Sequence, residues 1–191
     1  MVAWTAWIFD LDGTLTVPMH DFAGLKAELG LPADRDVLAG IATRPEAERD
    51  GLRAAVRAWE REHIAEARAA EGAAELLASL GARGCRLGVL TRNTRSTALD
   101  TLERIGLGRV FTPDDVLGRD SAPPKPHPGG VLALVGRWGA SPGHTVMVGD
   151  WVHDLEAGRS AGAAAVWIDH HGSGRFAAQA DRVVRSLREL M

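Results

Sequence analysis

Short apolar runs alternate with longer amphipathic stretches along most of this chain. Four runs are clear, at residues 4–9, 86–90, 145–148 and 163–168, and a weaker run surrounds Val110 and Phe111. The stretches between them have helical periodicity at 72–83, 95–106, 129–138 and 153–161, and several of them end at a glycine. Strands that helices bury on both faces are continuously apolar, as these runs are. The alternation therefore predicts an α/β fold with a parallel sheet covered by helices.

One interval departs from this alternation, because residues 16–70 carry helical signals only. Its longest periodic stretch presents an apolar face that ends at His63, which we interpret as a packed histidine. A helical interval of this length between two strands predicts an inserted subdomain. We therefore expect a core of residues 1–15 and 71–191 and a small inserted helical cap of residues 16–70.

Charge balance and cysteine content exclude several classes of protein. The chain has 191 residues, with 22 basic and 25 acidic side chains and a net charge of −3, so its overall charge attracts neither nucleic acid nor an anionic membrane. Its single cysteine, Cys85, cannot form an internal disulfide, which is typical of a reducing compartment. The first residues lack the basic start of a signal peptide, and no apolar run approaches the roughly 20 residues of a membrane span. We expect a cytoplasmic protein that binds neither nucleic acid nor membrane.

Pairs of acidic residues follow two of the predicted strands. Asp10 and Asp12 come directly after the first run and point the same way in extended backbone, and Gly13 lets the chain turn after them. Asp150 and Asp154 follow the third of the four runs, one helical turn apart. The carboxyl ends of parallel strands meet at one edge of a sheet. Carboxylates held together repel one another, so the pattern favours a hard divalent cation with oxygen ligands.

Groups that could hold a phosphate follow the other strands. Thr91, Arg92 and Asn93 come after the run at 86–90, just before a predicted helix whose first backbone N–H groups favour an anion. Lys125 lies among four prolines, in a segment that we expect to be extended and stiff. On such a segment its ammonium could neutralise a phosphate and hold the carboxylates in register.

Taken together, these motifs resemble the four-motif signature of the haloacid dehalogenase-like (HAD) hydrolase superfamily. The signature residues are Asp10-Leu11-Asp12-Gly13-Thr14, then Thr91, then Lys125, then Gly149-Asp150 with Asp154. The resemblance covers residues 4–169, and its spacing is similar to that of the phosphoglycolate phosphatase-like branch. It implies a Rossmann-like parallel sheet with a helical cap inserted after the first motif. The interval 16–70 is somewhat shorter than the four-helix cap typical of that branch.

The resemblance also implies a Mg2+-dependent phosphatase acting on a small phosphomonoester. Asp10 would be the nucleophile that forms an aspartyl-phosphate, and Asp12 would protonate the leaving alkoxide and then deprotonate the hydrolytic water. Mg2+ would be held by Asp10, Asp150 and the backbone carbonyl of Asp12, with Asp154 acting through water or by orienting Lys125. Four residues would bind the transferring phosphoryl group: Thr91, Arg92 through its N–H, Asn93 and Lys125.

Other residues have weaker links to the predicted site. We interpret His153 as a surface residue or a support for the acids beside it, and the His170-His171 pair as part of a flexible loop. Trp151 follows Asp150 and could wall the entrance. Because the cap faces the strand ends, five of its residues are candidates to contact the leaving group: Met19, His20, Asp21, Phe22 and Arg44.

Other functions remain open at this point. A dehalogenase is disfavoured because halide displacement needs neither a leaving-group acid nor a metal cluster. A phosphosugar mutase would pass the aspartyl-phosphate to a sugar instead of water. A phospho-acceptor signalling module uses a similar pocket, but the cap and Asp12 argue against it, and intact motifs argue against an inactive binding protein. We expect a small phosphorylated metabolite as the substrate, and a monomer because the cap already shields the site.

Overall fold

Strands of one parallel sheet form the centre of the computed structural model, which describes residues 3–18 and 21–191. The strands are β1 (Ala6–Phe9), β2 (Arg86–Leu90), β3 (Val116–Leu117), β4 (Thr145–Gly149), β5 (Ala164–Ile168) and β6 (Arg182–Val184). The helices are α1 (Phe22–Glu28), α2 (Val37–Ala42), α3 (Glu46–Ile64), α4 (Ala73–Ala82), α5 (Arg95–Arg104), α6 (Gly129–Trp138) and α7 (Val152–Ser160). The sheet order is β3-β2-β1-β4-β5-β6, with every neighbouring pair parallel.

The strand order reverses between β1 and β4. From β1 the chain adds β2 and β3 on one side and then returns to place β4 on the other. The helices that follow β2 and β4, α5 and α7, therefore lead away from each other. They leave a crevice at the carboxyl ends of the central strands. The sheet thus positions a site where the first and last motifs meet.

Helices cover both faces of the sheet because alternate strand residues point to opposite sides. Phe9 packs with Leu76 of α4 and Leu102 of α5 on one side. Ile8 packs with Leu134 of α6 on the other side, where α7 also contributes. The predicted α/β, Rossmann-like fold with helices on both faces is confirmed.

The interval 16–70 contains α1, α2 and α3. The carboxylates of Asp21 and Asp36 accept backbone N–H bonds at the starts of α1 and α2, each at 2.9 Å, as residues at helix N-caps commonly do. Leu31, Ile41 and Val56 form a small apolar cluster between these helices. The interval therefore has its own apolar contacts, separate from those that hold the sheet.

The two ends of this interval run side by side. Thr16 and Ala69 form an antiparallel bridge, and the N–H of Ala70 donates to the carbonyl oxygen of Leu15 at 2.8 Å. Both connections thus leave the sheet at one place, close to the expected boundaries. The division into a core of 1–15 and 71–191 and a cap of 16–70 stays a prediction.

Two local predictions are wrong, and two short strands were not predicted. Val110 lies in a turn and not in a strand, and Phe111 reaches the core from that turn. The strand of this region is β3, which has only two residues, and the short β6 carried no apolar run strong enough to predict it. The proline segment is not extended: it turns at Lys125 and Pro126, where the N–H of His127 donates to the Pro124 carbonyl oxygen at 3.1 Å.

Within the part of the chain that the structure describes, the helices are all too short or too polar to cross a bilayer.

Candidate active site

The first acidic motif lies where β1 ends. The N–H of Asp10 donates to the carbonyl oxygen of Val148 in β4 at 2.9 Å, so the sheet's own bonding continues to this residue. At Gly13 the backbone turns with φ of +73°, a conformation that side chains with a Cβ rarely adopt. A Cβ there would also lie 2.2 Å from Oδ2 of Asp150. Glycine at this position therefore lets the two acidic motifs approach closely.

Lys125 bridges two acids in the interior. Its Nζ lies 2.6 Å from Oδ1 of Asp10 and 2.6 Å from Oδ1 of Asp154, and its side chain is only 2% exposed. The second oxygen of Asp154 accepts the N–H of Trp151 at 3.0 Å. Asp154 thus contacts both the lysine and the start of α7, and its role in orienting Lys125 stays a prediction. Because the carboxylates hold the charged form, the pKa of Lys125 is raised even though burial opposes its charge.

Asp10, Asp150 and Asp154, here called the acidic cluster, are close enough to share a cation. One carboxylate oxygen of each lies within 4.8 Å of the others. Burial, together with the neighbouring carboxylates, raises the pKa of Asp10 to about 6, although Lys125 opposes this rise, and that of Asp150 to about 8. A hard cation would relieve the repulsion that raises these pKa values. This donor set, all carboxylate oxygens, fits Mg2+.

Asp12 occupies a different environment from the acidic cluster. Burial and the charge of Asp10 raise its pKa to about 7, and the amide of Asn93, which donates to its Oδ2 at 2.8 Å, opposes this rise. A carboxyl group with a pKa near neutrality can both give and take a proton at physiological pH. The raised pKa of Asp12 fits the role of general acid and base that the resemblance implies, and that role stays a prediction.

The loop after β2 brings Thr91 and Asn93 to the same edge of the sheet, and both are buried. The Thr91 hydroxyl oxygen accepts the N–H of Asn93 at 3.1 Å. The side chain of Arg92 points away from the strand ends and contacts Asp36, at the N-terminus of α2, and the Nδ1 of His153. This arrangement leaves only the backbone of Arg92 for the phosphate contact that the sequence predicts. It also makes His153 the partner of an arginine side chain; burial and the arginine charge lower the pKa of His153.

Two features of the site were missed by sequence reasoning. Arg119, on the loop after β3, forms a two-pronged ion pair with Glu60 of α3 at 2.6 and 3.1 Å. His170, interpreted as part of a flexible loop, has its Nε2 2.6 Å from the carbonyl oxygen of Gly13. Neither contact has a local sequence signal, because the partners are 59 and 157 residues apart.

A small cavity of about 10 Å3, room for roughly one water molecule, lies beside Asp12. Its lining is mostly polar, comes from the core and from α3, and includes Asn93, Glu60 and His63. The sequence predicts that His63 is packed. Its Nδ1 contacts the carbonyl oxygen of Trp59 at 2.7 Å, and its ring also borders this cavity. Residues on α3 therefore lie next to the proton-transfer candidate.

The remaining candidates fall into several places. Trp151 is 46% exposed and packs edge to face with Phe176, so it is at the surface beside the acidic cluster. Asp21 caps α1, and Arg44, which precedes α3, forms an exposed pair with Glu48 at 2.8 Å. Phe22, another cap candidate, packs against Trp59. Met19 and His20 lie outside the described residues.

Comparison with known proteins gives the family. A family model described as haloacid dehalogenase-like hydrolase matches residues 4–162. The chain belongs to the HAD-like hydrolase family. Among relatives of this HAD-like hydrolase, the probable phosphatase IndB of Dickeya dadantii is 34% identical over 96% of the chain and 90% of its own length.

Two further similar proteins are described as phosphoglycolate phosphatases. The phosphoglycolate phosphatase of Escherichia coli is 29% identical over 62% of the chain and 48% of its own length. A crystal structure from Haemophilus somnus, described as a predicted phosphoglycolate phosphatase, shares the fold at 23% identity and a TM-score of 0.77, covering 98% of this chain and 96% of that one. The expected HAD-like phosphoric monoester hydrolase is confirmed, and the chain is similar to proteins of the phosphoglycolate phosphatase-like branch.

Proposed function

We propose that this HAD-like hydrolase is a Mg2+-dependent phosphatase that cleaves a small phosphomonoester through an aspartyl-phosphate on Asp10. One observation carries the proposal: two carboxyl groups two residues apart are held in different ways. Lys125 pairs with Asp10 at 2.6 Å and favours its ionised, nucleophilic form. Asp12, held by the Asn93 amide, has a pKa of about 7 and is suited to proton transfer.

In the first step a carboxylate oxygen of Asp10 attacks phosphorus while the bond from phosphorus to the leaving oxygen breaks. Asp12 gives its proton to that oxygen, so the leaving group departs as a neutral alcohol. Thr91, the backbone N–H of Arg92 and Lys125 hold the phosphoryl oxygens. Asn93 has two tasks in this scheme, since its amide holds Asp12 and could also contact the phosphoryl group.

In the second step a water molecule attacks the same phosphorus and Asp12 takes a proton from it. The bond between phosphorus and Asp10 breaks, which releases phosphate and restores both aspartates. Asp10, Asp150 and the backbone carbonyl of Asp12 would hold Mg2+, with Asp154 supporting Lys125. When bound, the ion neutralises charge on the transferring phosphoryl group.

The substrate, partner and location follow from the same proposal. We expect a small phosphorylated metabolite as the substrate, a monomer in which the helices of 16–70 shield the site, and a cytoplasmic location. A panel of phosphorylated metabolites, with short alkyl phosphates and sugar phosphates in it, identifies the preferred leaving group.

Release of phosphate from p-nitrophenyl phosphate tests the function. We expect turnover with Mg2+, none in EDTA, and none with Asp10→Asn in Mg2+. A protein that keeps a stable acyl-phosphate without turnover would be a phospho-acceptor signalling module. Transfer of the phosphoryl group to a sugar in place of water would identify a mutase, and no turnover without an acyl-phosphate would refute an enzyme.

A further inference from the structure

Arg119 and Glu60 form a buried link between the inserted helices and the sheet. Both terminal nitrogens of Arg119 contact the Glu60 carboxylate, at 2.6 and 3.1 Å. The two side chains are only 12% and 7% exposed. A planar guanidinium can engage a carboxylate with two parallel bonds, which fixes orientation as well as distance.

The same arginine holds the loop that follows β2. Its Nη1 donates to the carbonyl oxygen of Arg92 at 2.7 Å, and its backbone N–H donates to the carbonyl oxygen of Asn93 at 2.9 Å. The Asn93 amide in turn donates to Oδ2 of Asp12 at 2.8 Å. An unbroken series of hydrogen bonds therefore runs from Glu60 on α3 to the carboxyl group of Asp12.

Stability alone is a weak reason for this ion pair. Removing two charges from water costs several kcal/mol per ion, and well-packed apolar side chains often serve equally well at such positions. The pair lies beside the reacting groups, because Glu60 borders the same small cavity as Asp12 and Asn93. A rigid connection at that place has a use in fixing the proton donor.

We propose that the Glu60–Arg119 pair is a positioning device: it fixes Asn93, and through Asn93 the Asp12 carboxyl, so that the leaving oxygen is protonated only while α3 is docked. The proposal rests on the proposed function, in which Asp12 is the acid. Neither Glu60 nor Arg119 touches the substrate in this scheme. Both act through the loop at Arg92 and Asn93.

Leaving-group dependence separates this role from a structural one. An alkoxide is a poor leaving group and needs a well-placed acid, whereas p-nitrophenolate leaves without one. Loss of positioning should therefore slow an alkyl phosphate far more than p-nitrophenyl phosphate. General damage to the fold should slow both substrates to the same extent.

The experiment compares Glu60→Gln and Arg119→Lys with wild type on p-nitrophenyl phosphate and on the alkyl phosphate that wild type turns over fastest. Gln keeps the shape of Glu60, and Lys keeps the charge of Arg119 but cannot form the fork. We expect kcat/KM, which reports only the steps up to release of the leaving group, to fall about tenfold or more on the alkyl phosphate and at least five times further than on p-nitrophenyl phosphate. The matched control is Asp50→Asn, which breaks an exposed pair with Arg53 on the same helix and should change both rates less than twofold.

Equal losses on both substrates in the two variants, or no loss on either, would overturn the proposal. Asp12→Asn distinguishes this failure from failure of the proposed function. If kcat/KM of Asp12→Asn shows selective loss on the alkyl phosphate and kcat/KM of the pair variants does not, only the positioning role is wrong. If kcat/KM of Asp12→Asn shows no selectivity, the assignment of Asp12 as the acid is itself wrong. Thermal unfolding of each variant checks that it is folded. If Glu60→Gln does not fold, the test uses Arg119→Lys alone.

Discussion

Exchange of Lys125 for methionine removes the one cation between two buried carboxylates while keeping a side chain of similar length. Two contacts of 2.6 Å are lost, to Asp10 and to Asp154. Removing one partner of a buried ion pair costs about 3 to 5 kcal/mol, since the other charge is left buried alone. We therefore expect Lys125→Met to lower the free energy of unfolding by about 3 kcal/mol or more at pH 8 in EDTA.

The loss should be smaller at pH 5. The pKa of Asp10 is about 6, so at pH 5 wild type already binds a proton there and has less ion pairing to lose, while at pH 8 the carboxylate is charged. Urea unfolding followed by tryptophan fluorescence measures both values. The control is Lys26→Met. The exposed ammonium of Lys26 donates to the carbonyl oxygens of Ala33 and Arg35, and its loss should cost under about 1 kcal/mol at either pH. A loss below about 1 kcal/mol for Lys125→Met at pH 8, or equal losses at both pH values, would refute the reasoning.

Three further perturbations test other parts of the site. Gly13→Ala should lower stability and weaken Mg2+ binding, because the added Cβ would lie 2.2 Å from Asp150. In the control Gly30→Ala, at a φ of +62° with nothing within 4 Å, only the backbone cost of about 1 kcal/mol should appear. Equal effects of the two substitutions in calorimetry would contradict this. Lys125→Arg should lose most phosphatase activity because a guanidinium is larger and flatter than an ammonium, whereas Lys26→Arg should keep it, and equal rates would undo the assignment. In EDTA the unfolding temperature should fall as pH rises from about 4 to 8, because acids whose folded pKa is raised bind more protons in the folded than in the unfolded state. Saturating Mg2+ should reverse this fall. A rise of the unfolding temperature with pH in EDTA would contradict the raised pKa values.

The central strands could be predicted from the sequence, whereas the edge strands could not. β2 has the bounds that its apolar run predicts, and β1, β4 and β5 differ from theirs by one or two residues, because all four are buried on both faces. β3 and β6 lie at the two edges of the sheet and have two and three residues, too few to carry a periodic signal. The apolar pair at Val110 and Phe111 misled the prediction because Phe111 packs into the core from a turn.

The parallel sheet explains why the motif residues of the site could be predicted. Residues that directly follow neighbouring strands are brought together by the topology, whatever the intervening chain does, and Asp10 and Asp150 meet in this way. Lys125 does not directly follow a strand, and it reaches Asp10 from the turn before α6. The strand order does not determine the contacts between the inserted helices and the sheet. The ion pair of Arg119 with Glu60 and that of Arg92 with Asp36 depend on how α2 and α3 dock, which a single sequence does not specify.

Covalent phosphorylation of Asp10 is the central claim, and rapid acid quenching during turnover tests it most directly. The Asp12→Asn variant, which keeps the nucleophile but lacks the base for hydrolysis, should accumulate a phosphoryl group during reaction with p-nitrophenyl phosphate and Mg2+. Peptide mapping by mass spectrometry should find that group on Asp10, with none in Asp10→Asn. Phosphate release by Asp10→Asn at the wild-type rate, or a phosphoryl group on another residue, would contradict the account.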